Sequence, residues 1–193
     1  MSLPDVAEVR ARVDRVHERL RAAGGDPAGI RLVAVTKGFG PEVVELAVAA
    51  GLVDLGENYA QELVAKSATR PPDDPVRWHF IGRLQRNKVR DLAGLVALWQ
   101  SVDRIEVGRE IARRAPGAAV LVQVNVTAEP GKGGADPAAV PGLVDELRDL
   151  GLDVRGVMAV GPTDPGADPA PAFAAATDLA DRLELVERSF GMS

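Results

Sequence analysis

An amphipathic helix is predicted for the first part of the chain, over residues 4–23. Its apolar residues are spaced by three and four positions with charged residues between them, which is the spacing of one helix face. They are Val6, Val9, Val13, Val16 and Leu20. Gly24 and Gly25 follow directly and predict the end of this helix.

After this helix the chain alternates between apolar runs, predicted to be strands, and amphipathic segments, predicted to be helices. The strands are predicted over residues 30–36, 52–55, 76–81, 95–102, 118–126 and 152–160. The helices are predicted over residues 41–50, 59–68, 87–93, 103–114, 137–150 and 169–183. Pro41, Gly51 and an N-cap at Asp103 mark helix ends. Six strands, each followed by a helix, indicate a parallel sheet.

Two parallel-sheet architectures fit this order. A doubly wound dinucleotide-binding sheet usually carries G-x-G-x-x-G after its first strand, but this chain has Thr36-Lys-Gly-Phe-Gly40 there. A (β/α) barrel instead collects polar residues at the carboxyl ends of its strands. Most of the predicted strands end beside such residues. In chain order the strand ends are Lys37, Glu57 or Asn58, Gly82, Ser101 or Asp103, Asn125, and Met158 or Gly161. The pattern therefore favours the barrel.

Composition narrows the function classes. The chain has 193 residues, 46% of them hydrophobic, and a net charge of -5, which argues against nonspecific nucleic-acid binding as its main role. It contains no cysteine and only two histidines, which excludes disulfides, a thiol nucleophile and a Cys-ligated metal and argues against a His-rich metal site. No apolar run approaches the roughly 20 residues of a membrane helix. We expect a cytoplasmic monomer without nucleic-acid or membrane partners.

Lys37 is the first candidate for chemistry, because it directly follows the first predicted strand. An amine held among apolar walls at a barrel mouth is less readily charged and can attack an aldehyde to form a Schiff base. A lysine at a strand end can equally extend into solvent with no chemical role. Position alone leaves both interpretations open.

Two further candidates belong to the next two strands, one just after a strand and one inside a strand. Asn58 can face a ligand, but capping the following helix is the more frequent role of such a residue. His79 lies inside an alternating strand, which favours a hydrogen-bonded core histidine over a catalytic base.

Three loop or terminal segments could contact anions. The basic residues Arg83, Arg86, Lys88 and Arg90 indicate either a patch that binds anions or nucleic acid or, more commonly, a solvated helix face. Lys132 lies in a glycine-rich loop that does not match the P-loop pattern, and it could reach an anionic ligand. The segment Ser189-Phe-Gly-Met-Ser193 could cradle a phosphate with its amides, but taken alone it resembles a frayed chain end.

Seven motifs occur in an order that resembles the pyridoxal phosphate homeostasis protein family. They are Val33-Ala-Val-Thr-Lys37, Gly56-Glu-Asn-Tyr-Ala-Gln-Glu62, Trp78-His-Phe-Ile-Gly82, Leu84-Gln-Arg-Asn-Lys88, Ser101-Val-Asp103, Val122-Gln-Val-Asn125 and Ser189-Phe-Gly-Met-Ser193. Each motif alone is weak, but together they span nearly the whole chain.

The resemblance implies an α/β fold, the eight-stranded (β/α) TIM barrel of the alanine racemase N-terminal type, forming one pyridoxal-phosphate-binding domain over residues 1–193. The family's barrel continues past the position of Ser193, so we expect a barrel truncated before its closing strand, with its C-terminal part missing. We expect such a chain to bind the cofactor weakly or not at all.

The resemblance also implies a site for pyridoxal 5′-phosphate. Lys37 matches the family's Schiff-base lysine, and Asn58 matches a residue beside the cofactor. Ser189, Gly191 and Ser193 fall in the phosphate-binding segment. Lys132 matches a loop lysine implicated in secondary cofactor binding.

The function implied by the resemblance is vitamin B6 and amino-acid homeostasis, with the cofactor buffered or delivered to pyridoxal-phosphate-dependent apoenzymes and no established turnover. One alternative is an enzyme of the racemase, decarboxylase or aldolase type that uses the same lysine. A second is a cofactor-free interaction module whose segment 83–90 contacts an acidic partner.

Overall fold

The computed structural model describes residues 3–71, 73–127, 129 and 131–192, and it alternates strands and helices as the apolar pattern predicts. Within these residues the strands are β1 (Ala34–Val35), β2 (Asp54–Glu57), β3 (Arg77–Phe80), β4 (Val96–Val102), β5 (Ala119–Gln123), β6 (Asp153–Val160) and β7 (Glu187–Gly191). The α-helices are α1 (Val6–Ala22), α2 (Glu42–Ala49), α3 (Ala60–Ser67), α4 (Val89–Leu92), α5 (Ile105–Arg114), α6 (Val140–Asp149) and α7 (Ala170–Arg182). Two short 3-10 turns, Pro27–Gly29 and Arg86–Lys88, complete the order.

The chain divides into two compact units, one over residues 1–79 and one over residues 80–193. The single domain expected over residues 1–193 stays a prediction.

The first unit begins with the predicted amphipathic helix. Asp5 caps α1 by accepting a hydrogen bond from the backbone N–H of Glu8 at 2.8 Å. The helix ends as expected, because Gly24 takes a left-handed conformation with φ of 84° and the Gly25 N–H donates to the carbonyl of Leu20.

β1 is shorter than predicted, and β2 begins later in the chain than predicted. β1 has two residues instead of seven, and it pairs in parallel with β2, Ala34 opposite Leu55 and Val35 opposite Gly56. β2 begins at Asp54 because the Leu52 N–H donates to the carbonyl of Ala47, at the end of α2. Leu52 therefore belongs to the hydrogen-bonded end of α2 and not to the start of β2.

The second unit holds four parallel strands, β4 to β7, in chain order. Leu98, Ala119, Leu121 and Met158 form a buried cluster on one face, and Val160 packs against it. Gly156 faces Glu187 across the β6–β7 pair, and a Cβ at Gly156 would lie 1.8 Å from the Glu187 carbonyl oxygen. The close approach of β7 to β6 therefore requires glycine at position 156.

The four strands of the second unit curl strongly. The Ser189 hydroxyl on β7 donates to the Gln100 side-chain oxygen on β4 at 2.7 Å, although β5 and β6 lie between these strands. Neighbouring strands are about 4.8 Å apart, so a flat sheet would hold β4 and β7 roughly 14 Å apart, beyond the reach of these side chains. The curvature is that of a barrel wall.

Three predictions for the second unit were wrong. Asp103 does not cap α5, because its carboxylate pairs with Arg104 and the N-cap position falls at Arg104. The strand predicted over residues 118–126 ends at Gln123. There the Ala135 N–H donates to the Gln123 carbonyl oxygen, and the Ala135 carbonyl oxygen accepts from the Asn125 N–H. The expectation of six strands is also wrong, since residues 187–191 pair with β6 as a seventh strand.

Candidate functional site

Lys37 and Asn58 follow the carboxyl ends of two paired strands in the first unit. The register of β1 and β2 sets Val35 opposite Gly56, so Lys37 and Asn58 come two residues later on each side. The side chain of Lys37 is exposed, and its amine has no hydrogen bond or ion pair with another described residue. The strand pairing therefore brings the two predicted site residues to the same edge.

The structure shows how these two residues are placed. The Lys37 side chain is exposed, which is the solvent-facing one of the two positions that the sequence left open for it. Asn58 does not cap α3, because Tyr59 occupies the N-cap position and no side chain caps that helix. The half-buried amide of Asn58 has no hydrogen bond with another described residue, so no capping role accounts for it.

Beside Lys37 lies a buried polar network that the sequence analysis missed. The Lys66 ammonium donates to Glu57 Oε1 at 2.5 Å and to the Thr36 carbonyl oxygen at 2.7 Å. The Thr36 hydroxyl donates to the same Glu57 oxygen at 2.6 Å. Glu62 accepts from the Gly38 backbone N–H at 2.8 Å. The one available signal was the position of Lys66, three residues after the apolar Leu63, on the face of α3 that is buried.

His79 is a buried core histidine, as its position in the strand predicted. Its Nε2 lies 2.9 Å from Asp54 Oδ1, and the Arg77 guanidinium also donates to Asp54. Burial lowers the pKa of His79 below its ordinary value, and the hydrogen bond and charge of Asp54 oppose this shift without cancelling it. For Asp54, burial raises the pKa, but the hydrogen bonds from Arg77 and His79 outweigh burial and lower it.

The lowered pKa of His79 predicts a pH dependence of stability. The unfolded chain, with an ordinary histidine pKa of about 6.5, binds the proton more readily than the folded chain. The stability that the neutral imidazole of His79 contributes is therefore complete above about pH 6.5 and is lost as the pH falls below that value. Asp54 affects stability in a different pH range. Because its pKa is lowered in the folded chain, the stability that its carboxylate contributes is lost only as the pH falls below about 4.

Urea unfolding of the wild type and of His79→Gln at about pH 7.5 and pH 5.5 measures this effect. We expect the free energy of unfolding to fall with pH more steeply for the wild type than for His79→Gln, which lacks the titrating group. Equal slopes for the two proteins would contradict the assignment.

Lys132 is held between two loops of the second unit. Its ammonium donates to the Gly161 carbonyl oxygen, which follows β6, and lies 3.3 Å from Glu129 Oε1. Glu129 also accepts from the Thr163 backbone N–H at 3.1 Å. The hydrogen bonds from Thr163, assisted by Lys132, lower the pKa of Glu129. These two partners use two of the three N–H donors of the Lys132 ammonium.

The other predicted residues of the second unit lie on β7. The Ser189 hydroxyl is engaged with Gln100, as described above. The Gly191 carbonyl oxygen accepts from the Gly161 N–H at 2.8 Å, so Gly161 links Gly191 to Lys132. Ser193 lies outside the described residues.

Two residues, Gly191 and Lys37, have features that suit a cofactor carrying an aldehyde and a phosphate, each within its own unit. Gly191 has no positive φ, and a Cβ there would meet nothing within 4 Å. The fold therefore does not require glycine at position 191, whereas the close approach of a ligand to the backbone would. The exposed amine of Lys37 is available to a carbonyl carbon.

Three of the four basic side chains in the segment 83–90 face solvent, and the fourth, Lys88, is half-buried. Arg83, Arg86 and Arg90 are exposed, and Arg90 pairs with the neighbouring Asp91. This is the solvated face that the spacing favoured.

Two kinds of feature are absent from the described part of the chain. It contains no group of three or more His, Cys, Asp or Glu side chains that could hold a metal ion. None of its helices has the length and apolar character needed to cross a bilayer.

The chain is similar to known proteins over nearly its whole length. Residues 5–193 match the family model of the alanine racemase N-terminal domain. The chain is 38% identical to a Pseudomonas aeruginosa protein named pyridoxal phosphate homeostasis protein, over 98% of this chain and 84% of that protein. A Deinococcus radiodurans protein of the same name is 40% identical, over 92% of this chain and 85% of that protein.

A solved structure gives the same result. The structure of PipY from Synechococcus elongatus with pyridoxal phosphate bound is 25% identical, with a TM-score of 0.75, covering 95% of this chain and 96% of that chain. Together with the family model, this match confirms the predicted fold class, the α/β barrel of the alanine racemase N-terminal type.

Proposed function

The chain belongs to the pyridoxal phosphate homeostasis protein family, and from that premise we propose that it holds pyridoxal 5′-phosphate through the amine of Lys37 and serves vitamin B6 and amino-acid homeostasis, with no established turnover. The observation that carries the proposal is the backbone of Lys37. The peptide groups on both sides of this residue are hydrogen-bonded, while its amine has no partner among the described residues. A fixed backbone with a free amine suits a residue that captures an aldehyde.

When bound, pyridoxal phosphate supplies an aldehyde that reacts with amines and a phosphate that accepts hydrogen bonds. We assign Lys37 to hold the aldehyde carbon and Asn58 to lie beside the cofactor. Ser189, Gly191 and Ser193 are proposed as phosphate-binding residues, and Lys132 as a secondary contact. The open space at the α-carbon of Gly191 supports its part of this assignment.

A homeostasis role is preferred over an enzymatic one. A racemase needs acid and base groups on both faces of its substrate. Two of the ionisable groups beside Lys37, Glu57 and Lys66, are buried and bonded to each other. Such a pair is not free to exchange protons with a substrate. The relatives also carry the name of a homeostasis protein and not of an enzyme.

Transfer to pyridoxal-phosphate-dependent apoenzymes is part of the proposal. The cytoplasmic location and the monomeric state stay predictions from the sequence.

A transfer and exchange experiment tests the proposed role. The chain is loaded with pyridoxal phosphate, freed of excess cofactor, and mixed with an apo-aminotransferase, whose activity we expect to return. The loaded chain is also incubated with L-alanine and with L-lysine in D₂O. We expect exchange of the α-proton no faster than with free pyridoxal phosphate. Faster exchange, racemisation or decarboxylation would favour the enzyme instead.

A further inference from the structure

Both peptide groups that flank Lys37 are hydrogen-bonded to side chains of one helix, α3. The carbonyl oxygen of Thr36 accepts from the Lys66 ammonium at 2.7 Å. The N–H of Gly38 donates to Glu62 Oε2 at 2.8 Å. The first bond fixes the peptide group before Lys37, and the second fixes the peptide group after it. The backbone of Lys37 is therefore held on both sides, while its side chain stays exposed.

A buried carboxylate holds the first of these bonds in place. Glu57 is fully buried and Lys66 is 2% exposed. Glu57 Oε1 accepts from both Lys66, at 2.5 Å, and the Thr36 hydroxyl, at 2.6 Å. Lys66 Nζ also lies 3.5 Å from Glu62 Oε2, one helical turn away. The two bonds that hold Lys37 thus belong to one connected group of charges.

The stability of the fold does not by itself explain this group. Burying a carboxylate and an ammonium costs desolvation that their attraction often fails to recover, and an apolar pair of similar size commonly serves stability as well or better. Two charged side chains of this group are buried at this cost, and two bond to the peptide groups around the exposed Lys37. This arrangement indicates a role in holding Lys37.

We propose that Glu62, Lys66 and Glu57 are positioning residues that hold the backbone of Lys37, so that its free amine meets the aldehyde of pyridoxal phosphate from one direction. The inference rests on the proposed function, because it concerns the same lysine. A lysine side chain has several rotatable bonds, and fixing the backbone removes part of the orientational freedom that the reaction would otherwise have to overcome.

Glu62 offers the cleanest test, because it is half-buried and its loss leaves the buried pair of Glu57 and Lys66 intact. Glu62→Ala removes the acceptor of the Gly38 N–H. Glu62→Gln keeps a side-chain oxygen that can accept the same bond. Gln61→Ala, at an exposed position on the same helix, is the matched control.

Two measurements are made on each protein. The first is hydrogen exchange at the Gly38 amide, followed by NMR without cofactor. The second is the rate at which borohydride traps a pyridoxal phosphate label on Lys37. For Glu62→Ala we expect Gly38 to exchange about tenfold faster and labelling to be roughly tenfold slower. We expect Glu62→Gln to stay within about threefold of the wild type and Gln61→Ala to match it.

The outcomes separate this inference from the proposed function. If the wild type is labelled on Lys37 and Glu62→Ala is labelled at the same rate, the positioning role is wrong and the proposed function stands. If Gly38 exchanges equally fast in both proteins, the hydrogen bond does not hold that peptide group and the inference fails. If the wild type itself is not labelled on Lys37, the proposed function fails and the inference fails with it.

Discussion

Replacing Lys66 with methionine is expected to lower the free energy of unfolding by about 3–5 kcal/mol. Methionine fills a similar volume, but it leaves the fully buried Glu57 carboxylate without its ammonium partner. The second oxygen of that carboxylate, Oε2, already lacks a partner among the described residues. An uncompensated charge in this position must either be desolvated or take up a proton, and both cost stability. Urea unfolding followed by circular dichroism measures the loss.

Two comparison variants show whether the loss comes from the orphaned charge. The double variant Glu57→Gln with Lys66→Met removes both charges, and we expect it to recover most of the lost stability. Lys88→Met makes the same substitution at a half-buried lysine that has no ion pair within the described residues, and its effect should stay within about 0.5 kcal/mol. A single Lys66→Met variant as stable as the wild type would contradict the buried ion pair.

Replacing Lys37 with alanine is expected to abolish covalent attachment of pyridoxal phosphate. The three other lysines differ from it: Lys66 is buried, Lys132 is hydrogen-bonded to Gly161, and Lys88 is half-buried. Because the Lys37 side chain is exposed and makes no contact with a described polar group, its removal should change stability by no more than about 0.5 kcal/mol. The variant should therefore stay folded and lose only the label.

Intact-protein mass spectrometry after borohydride reduction, with cofactor near equimolar to the chain, measures this loss. Lys88→Ala is the matched control and should keep the label. A Lys37→Ala variant that carries as much label as the wild type would show that another amine holds the cofactor.

The parts of the fold that follow from periodicity could be predicted. The spacing of Val9, Val13 and Val16 predicted α1, and the helix ends just before Gly24, as the glycines there predicted. The alternation of strands and helices predicted the parallel sheet, because each strand followed by a helix must cross over before the next strand pairs.

Features set by tertiary hydrogen bonds could not be predicted. The strand expected over residues 30–36 shrank to Ala34–Val35, which depends on where β2 pairs with it. The segment 187–191 has little apolar alternation, and it becomes a strand because Gly156 lets its backbone approach β6. Asp103 has the right residue type for an N-cap, yet Arg104 takes its carboxylate.

Some residues of the candidate site could likewise be predicted from the sequence, and others could not. Lys37 and Asn58 were found because residues that follow parallel strands meet at one edge of a sheet. Glu57 was noted only as a polar residue at a strand end, and Glu62 and Lys66 were missed. Charged residues on a strand end and a short helix usually face solvent, so their buried network was not expected. Only the three-dimensional contact with the backbone around Lys37 distinguishes them.

The central claim is that Lys37 holds pyridoxal phosphate, and peptide mapping of the wild-type chain tests it most directly. The chain is mixed with pyridoxal phosphate, its visible spectrum is recorded, and the product is reduced with borohydride, digested and analysed by mass spectrometry. We predict a single labelled peptide whose modified residue is Lys37. A label on Lys66, Lys88 or Lys132 in place of Lys37, or no label at all, would contradict the claim.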